Sequence, residues 1–219
     1  MDLPLPEQVS HQDTLRYLGA SGWQPDEATR GLLQKAEALL RTEAQPRAVW
    51  RQVPLDALPL SEAGQDLARH LKGCQAVLLL AATLGSRTDG LLRRLELTDI
   101  ALAAAADAMA AVFLEGVCDD LQTRLEREYR QKKLYLTTRY APGYGDCPMS
   151  LNEDVCLLLD TVRGCGLAVT PQHLLTPRKS TTAIVGVADH PVTGARAGCA
   201  NCLLKETCVY RKRGKTCAD

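Results

Sequence analysis

The segment Ala76-Val77-Leu78-Leu79-Leu80-Ala81-Ala82 is a continuous apolar run, and the prediction of the fold class starts from it. An uninterrupted run of this length, without polar alternation, predicts a β-strand that is buried on both faces. Such a strand needs neighbouring strands for its backbone hydrogen bonds and helices to cover its side chains. We therefore expect it at the centre of the sheet.

Shorter strands are predicted on either side of this central run. Residues 47–54 alternate, with Ala48, Trp50 and Val53 among polar residues, which indicates a strand. Further segments of strand character are residues 134–139, 167–170 and 180–187.

Helical periodicity dominates the first half of the chain. The longest predicted helix runs from about Asp99 to about Lys132, and its Ala-, Leu- and Met-rich first half is typical of a helix buried on most sides. Other helices are predicted to end near Leu18, to run from Pro25 to about Thr42 and from Ser61 to about Leu71, and to open with a capping box at Ser150 and reach about Arg163.

These elements predict an α+β fold. We expect a mainly antiparallel twisted sheet flanked by helices, with a long buried Ala-rich helix and a Cys-rich C-terminal tail. The predicted division is a domain over residues 1–193 and a Cys-rich metal-binding tail over residues 194–219.

Composition excludes two classes of partner. The 26 basic residues balance the 26 acidic ones, so the chain has no net charge to attract nucleic acid or an anionic membrane. One Phe, two Trp and six Tyr are too few for a surface that stacks nucleotide bases. The first residues lack a signal-peptide pattern, and the apolar run at residues 100–114 is shorter than the roughly 20 residues of a membrane span. We expect a cytoplasmic protein.

Residues 139–148 read Arg-Tyr-Ala-Pro-Gly-Tyr-Gly-Asp-Cys-Pro and form the most informative loop of the sequence. Arg139 offers a rigid fork for a carboxylate or phosphate, and Gly143 and Gly145 allow a ligand to approach the backbone. Tyr144 adds a flat ring with a hydroxyl. By residue chemistry alone, a structural connection with a surface arginine is favoured over a site for a zwitterionic ligand with a flat base.

The loop resembles the S-adenosylmethionine-binding motif in the activation domain of cobalamin (vitamin B12)-dependent methionine synthase, Arg-x-x-Pro-Gly-Tyr followed by a nearby Pro. Downstream, Gly166-Leu-Ala-Val-Thr170 and Pro177-Arg-Lys-Ser180-Thr-Thr-Ala-Ile-Val-Gly186 resemble the strand and the Lys-Ser run of that family. Upstream, Ala81-Ala82-Thr83-Leu84-Gly85 and Glu115-Gly-Val-Cys118-Asp119 resemble stand-alone members. The likeness covers approximately residues 15–190.

The resemblance implies a role for each matching residue. Arg139 would hold the methionyl carboxylate of S-adenosylmethionine, and backbone groups at Ala141 and Gly143, with Tyr144, would hold the adenosine. Glu115 is a candidate for the ammonium or sulfonium group, with plain exposure on a helix face as the equal alternative.

The resemblance also implies a process. Reduction of inactive Co(II) cobalamin by one electron, with methyl transfer from S-adenosylmethionine, restores methylcobalamin. This chain would act in trans on cobalamin-dependent methionine synthase or another corrinoid protein, with flavodoxin or ferredoxin as candidate electron donors. The chemistry would take place at the partner's cobalt, so no catalytic residue is assigned, and the chain is a component of the methyltransferase system rather than a self-sufficient enzyme.

The tail contains Cys199, Cys202, Cys208 and Cys217, spaced C-x2-C-x5-C-x8-C, and lies outside the resemblance. Four thiolates can bind either zinc or an iron–sulfur cluster such as [4Fe-4S]. A cluster is slightly favoured, because reactivation needs an electron; a metal-free thiol or disulfide tail is the third interpretation. Two alternative functions therefore remain: an iron–sulfur electron-transfer or redox protein, and a zinc-stabilised module that docks on a corrinoid protein.

Overall fold

The computed structural model describes residues 1–194, 206–208 and 212. The α-helices of these residues are α1 (His11–Tyr17), α2 (Glu27–Glu43), α3 (Gln65–His70), α4 (Ser86–Thr98), α5 (Ile100–Gln131), α6 (Leu151–Leu159) and α7 (Thr161–Cys165). The strands are β1 (Arg47–Pro54), β2 (Ala76–Thr83), β3 (Tyr135–Leu136), β4 (Ala168–Val169), β5 (Leu175–Thr176) and β6 (Ser180–Ala188). The predicted α+β class is confirmed.

The main sheet has the strand order β1-β2-β6-β3, and all its pairs are antiparallel. The apolar run forms β2, which pairs with β1 on one side and with β6 on the other. Its even-numbered residues Leu78 and Leu80 pack into one hydrophobic core, and its odd-numbered residues Val77 and Leu79 pack into a second core on the opposite face. The predicted central strand, buried on both faces, is confirmed.

Helices cover both faces of this sheet. The first core contains residues of α2, α4 and α5, and the second contains residues of α3, α6 and α7. Helix α5 matches the predicted long helix closely: Asp99 caps it by accepting a hydrogen bond from the backbone N–H of Leu102, at 3.0 Å. By length and composition α5 could cross a membrane, but 56% of its most apolar stretch is buried inside the fold. Its apolar residues therefore serve the core.

Two helices differ from the sequence prediction. Helix α4 (Ser86–Thr98) is absent from the sequence prediction, which has no element between the central strand and the long helix that begins near Asp99. The predicted helix from Ser150 to Arg163 is divided at Asp160, whose left-handed φ of 49° separates α6 from α7. The predicted capping box is wrong, because Ser150 has helical backbone angles and its side chain makes no capping hydrogen bond.

Candidate functional site

A groove of about 680 Å³ lies between α5 and the edge of the sheet. One wall is the polar face of α5, the other is formed by residues 138–141 and Tyr144, and the first residues of β6 complete the groove. It is lined by Glu115, Cys118, Asp119, Gln122, Thr123, Glu126, Thr138, Arg139, Tyr140, Ala141, Tyr144, Thr181, Thr182 and Ala183. The groove thus brings together helix α5 and the loop of residues 139–148, which we call the motif loop.

A β-bulge directs Arg139 into this groove. Leu136 pairs with Val187, but Tyr140 pairs with Ile184, so the chain beside β6 contains one residue more than a regular ladder would hold. Thr137 and Tyr140 consequently contact the same side chain, His70, although they are three residues apart. The Thr137 hydroxyl lies 2.9 Å from His70 Nε2, and the Tyr140 ring centroid lies 5.2 Å from that of His70. Between them, Arg139 projects towards α5.

The guanidinium of Arg139 is held by side chains of α5. Its Nη1 donates to Gln122 Oε1 at 2.9 Å, and its Nη2 donates to Glu115 Oε2 at 3.1 Å and to Asp119 Oδ1 at 2.7 Å. The Arg139 side chain is only 19% exposed, whereas those of Glu115 and Asp119 are 56% and 69% exposed. A largely buried cation therefore faces two solvated carboxylates and one amide.

Electrostatics keep Arg139 charged and Cys118 neutral. Burial acts to lower the pKa of the Arg139 guanidinium, but its hydrogen bond to Asp119 and the nearby negative charges outweigh burial and raise the pKa. Burial raises the pKa of the Cys118 thiol to about 12. Cys118 therefore lines the groove as a protonated thiol and supplies no nucleophile at neutral pH.

The motif loop is ordered by its own backbone. The N–H of Gly143 donates to the carbonyl of Cys147 at 3.1 Å, and the N–H of Cys147 donates to the carbonyl of Tyr144 at 3.0 Å. The φ of Gly143 is +85°, and an added Cβ would lie 2.8 Å from Met149 Cγ, so this position favours glycine. The Tyr140 hydroxyl donates to the carbonyl of Tyr144 at 2.9 Å, which fixes the half-exposed Tyr144 at the groove.

Asp146 anchors this loop to the rest of the fold. Its Oδ2 accepts a hydrogen bond from the backbone N–H of Gln65 at 2.8 Å, and its Oδ1 accepts from that of Asp66 at 3.0 Å. These are the first N–H groups of α3, whose own N-cap residue, Gly64, has no side chain. Asp146 therefore caps a helix that is distant in sequence, and α3 begins later than the predicted Ser61.

The end of β6 adds backbone polar groups to the groove. Ile184 exchanges both of its backbone hydrogen bonds with Tyr140, at 2.8 and 3.0 Å. Because backbone groups alternate along a strand, the N–H and C=O of Thr182 point to the same side as those of Ile184, which here is the groove. The Thr182 side chain projects from the face of the sheet that is covered by α6, where its hydroxyl donates to Asn152 Oδ1 at 2.6 Å.

Four of the five predicted ligand-binding residues line the groove: Arg139, Ala141, Tyr144 and Glu115. The fifth, Gly143, is not among the lining residues and instead shapes the turn beneath Tyr144. Glu115, the predicted candidate for a ligand cation, is paired with Arg139.

Sequence reasoning missed the remaining polar residues of α5. Asp119, Gln122 and Glu126 follow Glu115 at intervals of four, three and four residues, which places them on one helix face. That periodicity is visible in the sequence. The sequence alone does not show which segment packs against this helix face, so the periodicity could not be recognised as part of a site.

The predicted metal site cannot be placed in this fold. Cys199, Cys202 and Cys217 lie outside the described residues, and Cys208 lies within them. Among residues 1–194, 206–208 and 212, no group of three or more His, Cys, Asp and Glu side chains could hold a metal ion. The iron–sulfur and zinc interpretations of the tail stay predictions.

Comparisons with known proteins identify the architecture. No protein-family model and no curated protein matches the sequence. Among solved structures, the fold is similar to that of the MetH reactivation domain bound to AdoHcy, with a TM-score of 0.63 and 17% sequence identity. The similarity covers 96% of this chain and 82% of that chain. At this identity the likeness shows a shared fold, that of the MetH reactivation domain.

Proposed function

We propose that this chain binds S-adenosylmethionine in the groove and supports, in trans, the reductive remethylation of a cobalamin-dependent methyltransferase. The observation that carries the proposal is the position of Arg139, a largely buried cation directed into a groove whose opposite wall is acidic. The structural neighbour, which holds AdoHcy, supports the same class of ligand.

The charges of the groove fit the methionyl part of the ligand. S-adenosylmethionine carries a carboxylate, an ammonium and a sulfonium group close together. A guanidinium has five N–H donors, and Arg139 uses three of them for Gln122, Glu115 and Asp119 within the described part of the chain. Its other donors suit the carboxylate, while Glu115 and Asp119 suit the two cationic groups.

The other end of the groove fits an adenosine. Tyr144 is 52% exposed and stands edge-on to Tyr140, with ring centroids 6.3 Å apart. An exposed ring in a fixed position can stack on an adenine base. The backbone N–H and C=O of Thr182 offer one donor and one acceptor to its polar edge, and Ala141 leaves space beside them.

The ligand supplies an electrophilic methyl group on its sulfonium. The residues of this chain bind and orient the ligand, and no described residue is placed to transfer the methyl group. The acceptor would be the cobalt of a cobalamin-dependent methionine synthase or another corrinoid protein. Action in trans is supported by the resemblance of residues 81–85 and 115–119 to stand-alone members of the family.

Calorimetric titration with S-adenosylmethionine and S-adenosylhomocysteine tests the binding step. Arg139→Ala removes the charge-assisted contact with the carboxylate and should weaken binding by about 1.5–3 kcal/mol, or roughly 10- to 150-fold. Arg178→Ala is the matched control, because Arg178 also pairs with two carboxylates, those of Glu96 and Asp107, but does not line the groove. Absence of binding by the native protein, or equal losses in the two variants, would contradict the proposal.

The reactivation step needs a second assay. A methionine synthase without its activation domain, held as Co(II) cobalamin, is mixed with the native chain, S-adenosylmethionine and a one-electron reductant. We expect the visible spectrum of methylcobalamin to appear, and to appear far more slowly with Arg139→Ala. If S-adenosylmethionine binds but the cobalamin spectrum does not change, the proposed function is reduced to ligand binding.

The cofactor of the tail is tested independently. Metal analysis and a visible spectrum after anaerobic purification distinguish an iron–sulfur cluster from zinc. The expected result for the favoured interpretation is iron with broad visible absorption, lost in the variant Cys199→Ala. Zinc without visible absorption would support the module interpretation instead.

A further inference from the structure

The amide of Gln122 connects Arg139 to a second acid on α5. Its Oε1 accepts from Arg139 Nη1 at 2.9 Å, and its Nε2 donates to Glu126 Oε1 at 2.8 Å. Gln122 and Glu126 are both half-buried. The contacts form one chain of hydrogen bonds, from the guanidinium through the amide to the carboxylate.

The chemistry of the two ends fixes the orientation of this amide. A guanidinium only donates hydrogen bonds, so the amide oxygen must face Arg139. An ionised carboxylate only accepts them, so the amide nitrogen must face Glu126. A rotation of the amide by half a turn would break both bonds, so Glu126 locks Gln122 in the orientation that holds Arg139.

The other partners of Arg139 hold it less selectively. Glu115 and Asp119 share Nη2, are mostly solvent-exposed, and are the acids best placed to receive a cationic ligand group. If they pair with the cationic groups of the proposed ligand, their contacts with Arg139 would weaken. The Gln122 amide is neutral, so a cationic ligand group would not attract it away from Arg139. It also does not neutralise the charge of the arginine.

We infer that Gln122 is a positioning residue, which keeps the Arg139 guanidinium directed into the groove while leaving its full charge available to a ligand carboxylate. This inference rests on the proposed function for the identity of the ligand. Its mechanical part, the restraint of Arg139 by Gln122, concerns the ligand-free protein and can be tested without any ligand.

The ligand-free test uses nitrogen-15 NMR of the arginine side chains. The Arg139 signals are assigned by their loss in Arg139→Lys. In Gln122→Met, which keeps the side-chain length but removes both hydrogen bonds, we expect faster guanidinium proton exchange and faster rotation for Arg139. Gln34→Met, at an exposed position within α2, is the matched control and should leave these signals unchanged. Unaltered Arg139 signals in Gln122→Met would overturn the inference whatever the ligand.

The binding test separates an effect through Arg139 from a general loss of structure. Three ligands are titrated: S-adenosylmethionine, its decarboxylated form, and 5′-methylthioadenosine, which lacks the whole amino-acid group. Gln122→Met should weaken S-adenosylmethionine by about three- to tenfold and leave the two ligands without a carboxylate almost unchanged. Equal weakening of all three ligands would reduce Gln122 to a structural residue.

Failure of this inference differs from failure of the proposed function. If the native chain binds S-adenosylmethionine and Arg139→Ala weakens it while Gln122→Met does not, only the positioning role is lost. Gln122→Glu provides a further check, because a carboxylate next to Arg139 keeps the contact but neutralises the charge. We expect this variant to hold Arg139 firmly in the NMR experiment and still to bind the carboxylate-bearing ligand more weakly than the native chain.

Discussion

Replacing Asp146 with alanine should destabilise the whole domain, although the residue lies in an exposed loop. Its carboxylate accepts two backbone hydrogen bonds from the start of α3, from Gln65 at 2.8 Å and from Asp66 at 3.0 Å. Gly64 cannot replace this cap. Loss of an N-cap costs about 0.5–2 kcal/mol, and loss of a negative charge at a helix N-terminus costs about 0.3–1 kcal/mol. Solvent exposure favours the lower half of the sum.

We therefore expect Asp146→Ala to lower the free energy of unfolding by about 1–2 kcal/mol, which for a chain of this size lowers Tm by about 2–8 °C. Circular dichroism during thermal and urea unfolding measures both quantities. Asp146→Asn keeps an oxygen that can accept one of the two bonds, and should lose about half as much.

The control is Asp56→Ala, an exposed aspartate in the short 3-10 helix Leu55–Ala57, which should change stability by no more than about 0.5 kcal/mol. If Asp146→Ala unfolds within about 1 °C of the native chain, the long-range cap contributes nothing and the reasoning fails. The same variant should also bind S-adenosylmethionine more weakly, because the cap fixes the loop that carries Tyr144.

Two further predictions concern titratable groups to which no ligand contact is assigned. Burial acts to raise the pKa of Glu37, but hydrogen bonds from His11 and Arg41 outweigh it and lower the pKa below its usual value. A carboxyl group whose pKa is lowered by folding stabilises the fold at pH values above its usual pKa, and this stabilisation is lost as the pH falls through the lowered pKa. The native chain should therefore be more stable than Glu37→Gln by about 0.5–1 kcal/mol at pH 7, and this difference should shrink below about pH 4 in urea titrations. A difference that stays constant with pH would contradict the prediction. Cys118, with its pKa raised to about 12, should resist iodoacetamide at pH 8 in the native state and react in urea, as read by peptide mass spectrometry; equal labelling in both states would show that the thiol is accessible.

The elements that were predicted well are those whose pattern can be recognised from neighbouring residues alone. The run at residues 76–82 buries almost every side chain, and the helix that begins after Asp99 buries most of the apolar side chains of its first half, so both patterns are continuous. Helix α4 was missed for a local reason as well. Asp99 ends α4 and caps α5 at the same time, so the two helices meet without the loop that usually marks a boundary.

The site was only partly predictable, because its geometry depends on pairings between distant segments. The motif loop identified Arg139 and Tyr144, but not the partners that hold Arg139. Those partners form a polar stripe on α5 whose meaning depends on which segment packs against it. Gly143 was predicted to contact the ligand, whereas its positive φ serves the turn that presents Tyr144.

The extra residue between Leu136 and Tyr140 makes the site sensitive to chain length as well as to composition. Deleting Thr138 would remove one residue from the wall of the groove, but it would leave every residue of the 139–148 motif in the sequence. It would also restore a regular ladder, in which successive side chains alternate between the two faces, and Arg139 and Tyr140 could no longer keep their present directions together with their present pairing partners. In evolutionary terms, the loss or gain of one codon in this short segment would redirect Arg139 while the fold persisted, whereas a substitution nearby would leave the direction of Arg139 unchanged.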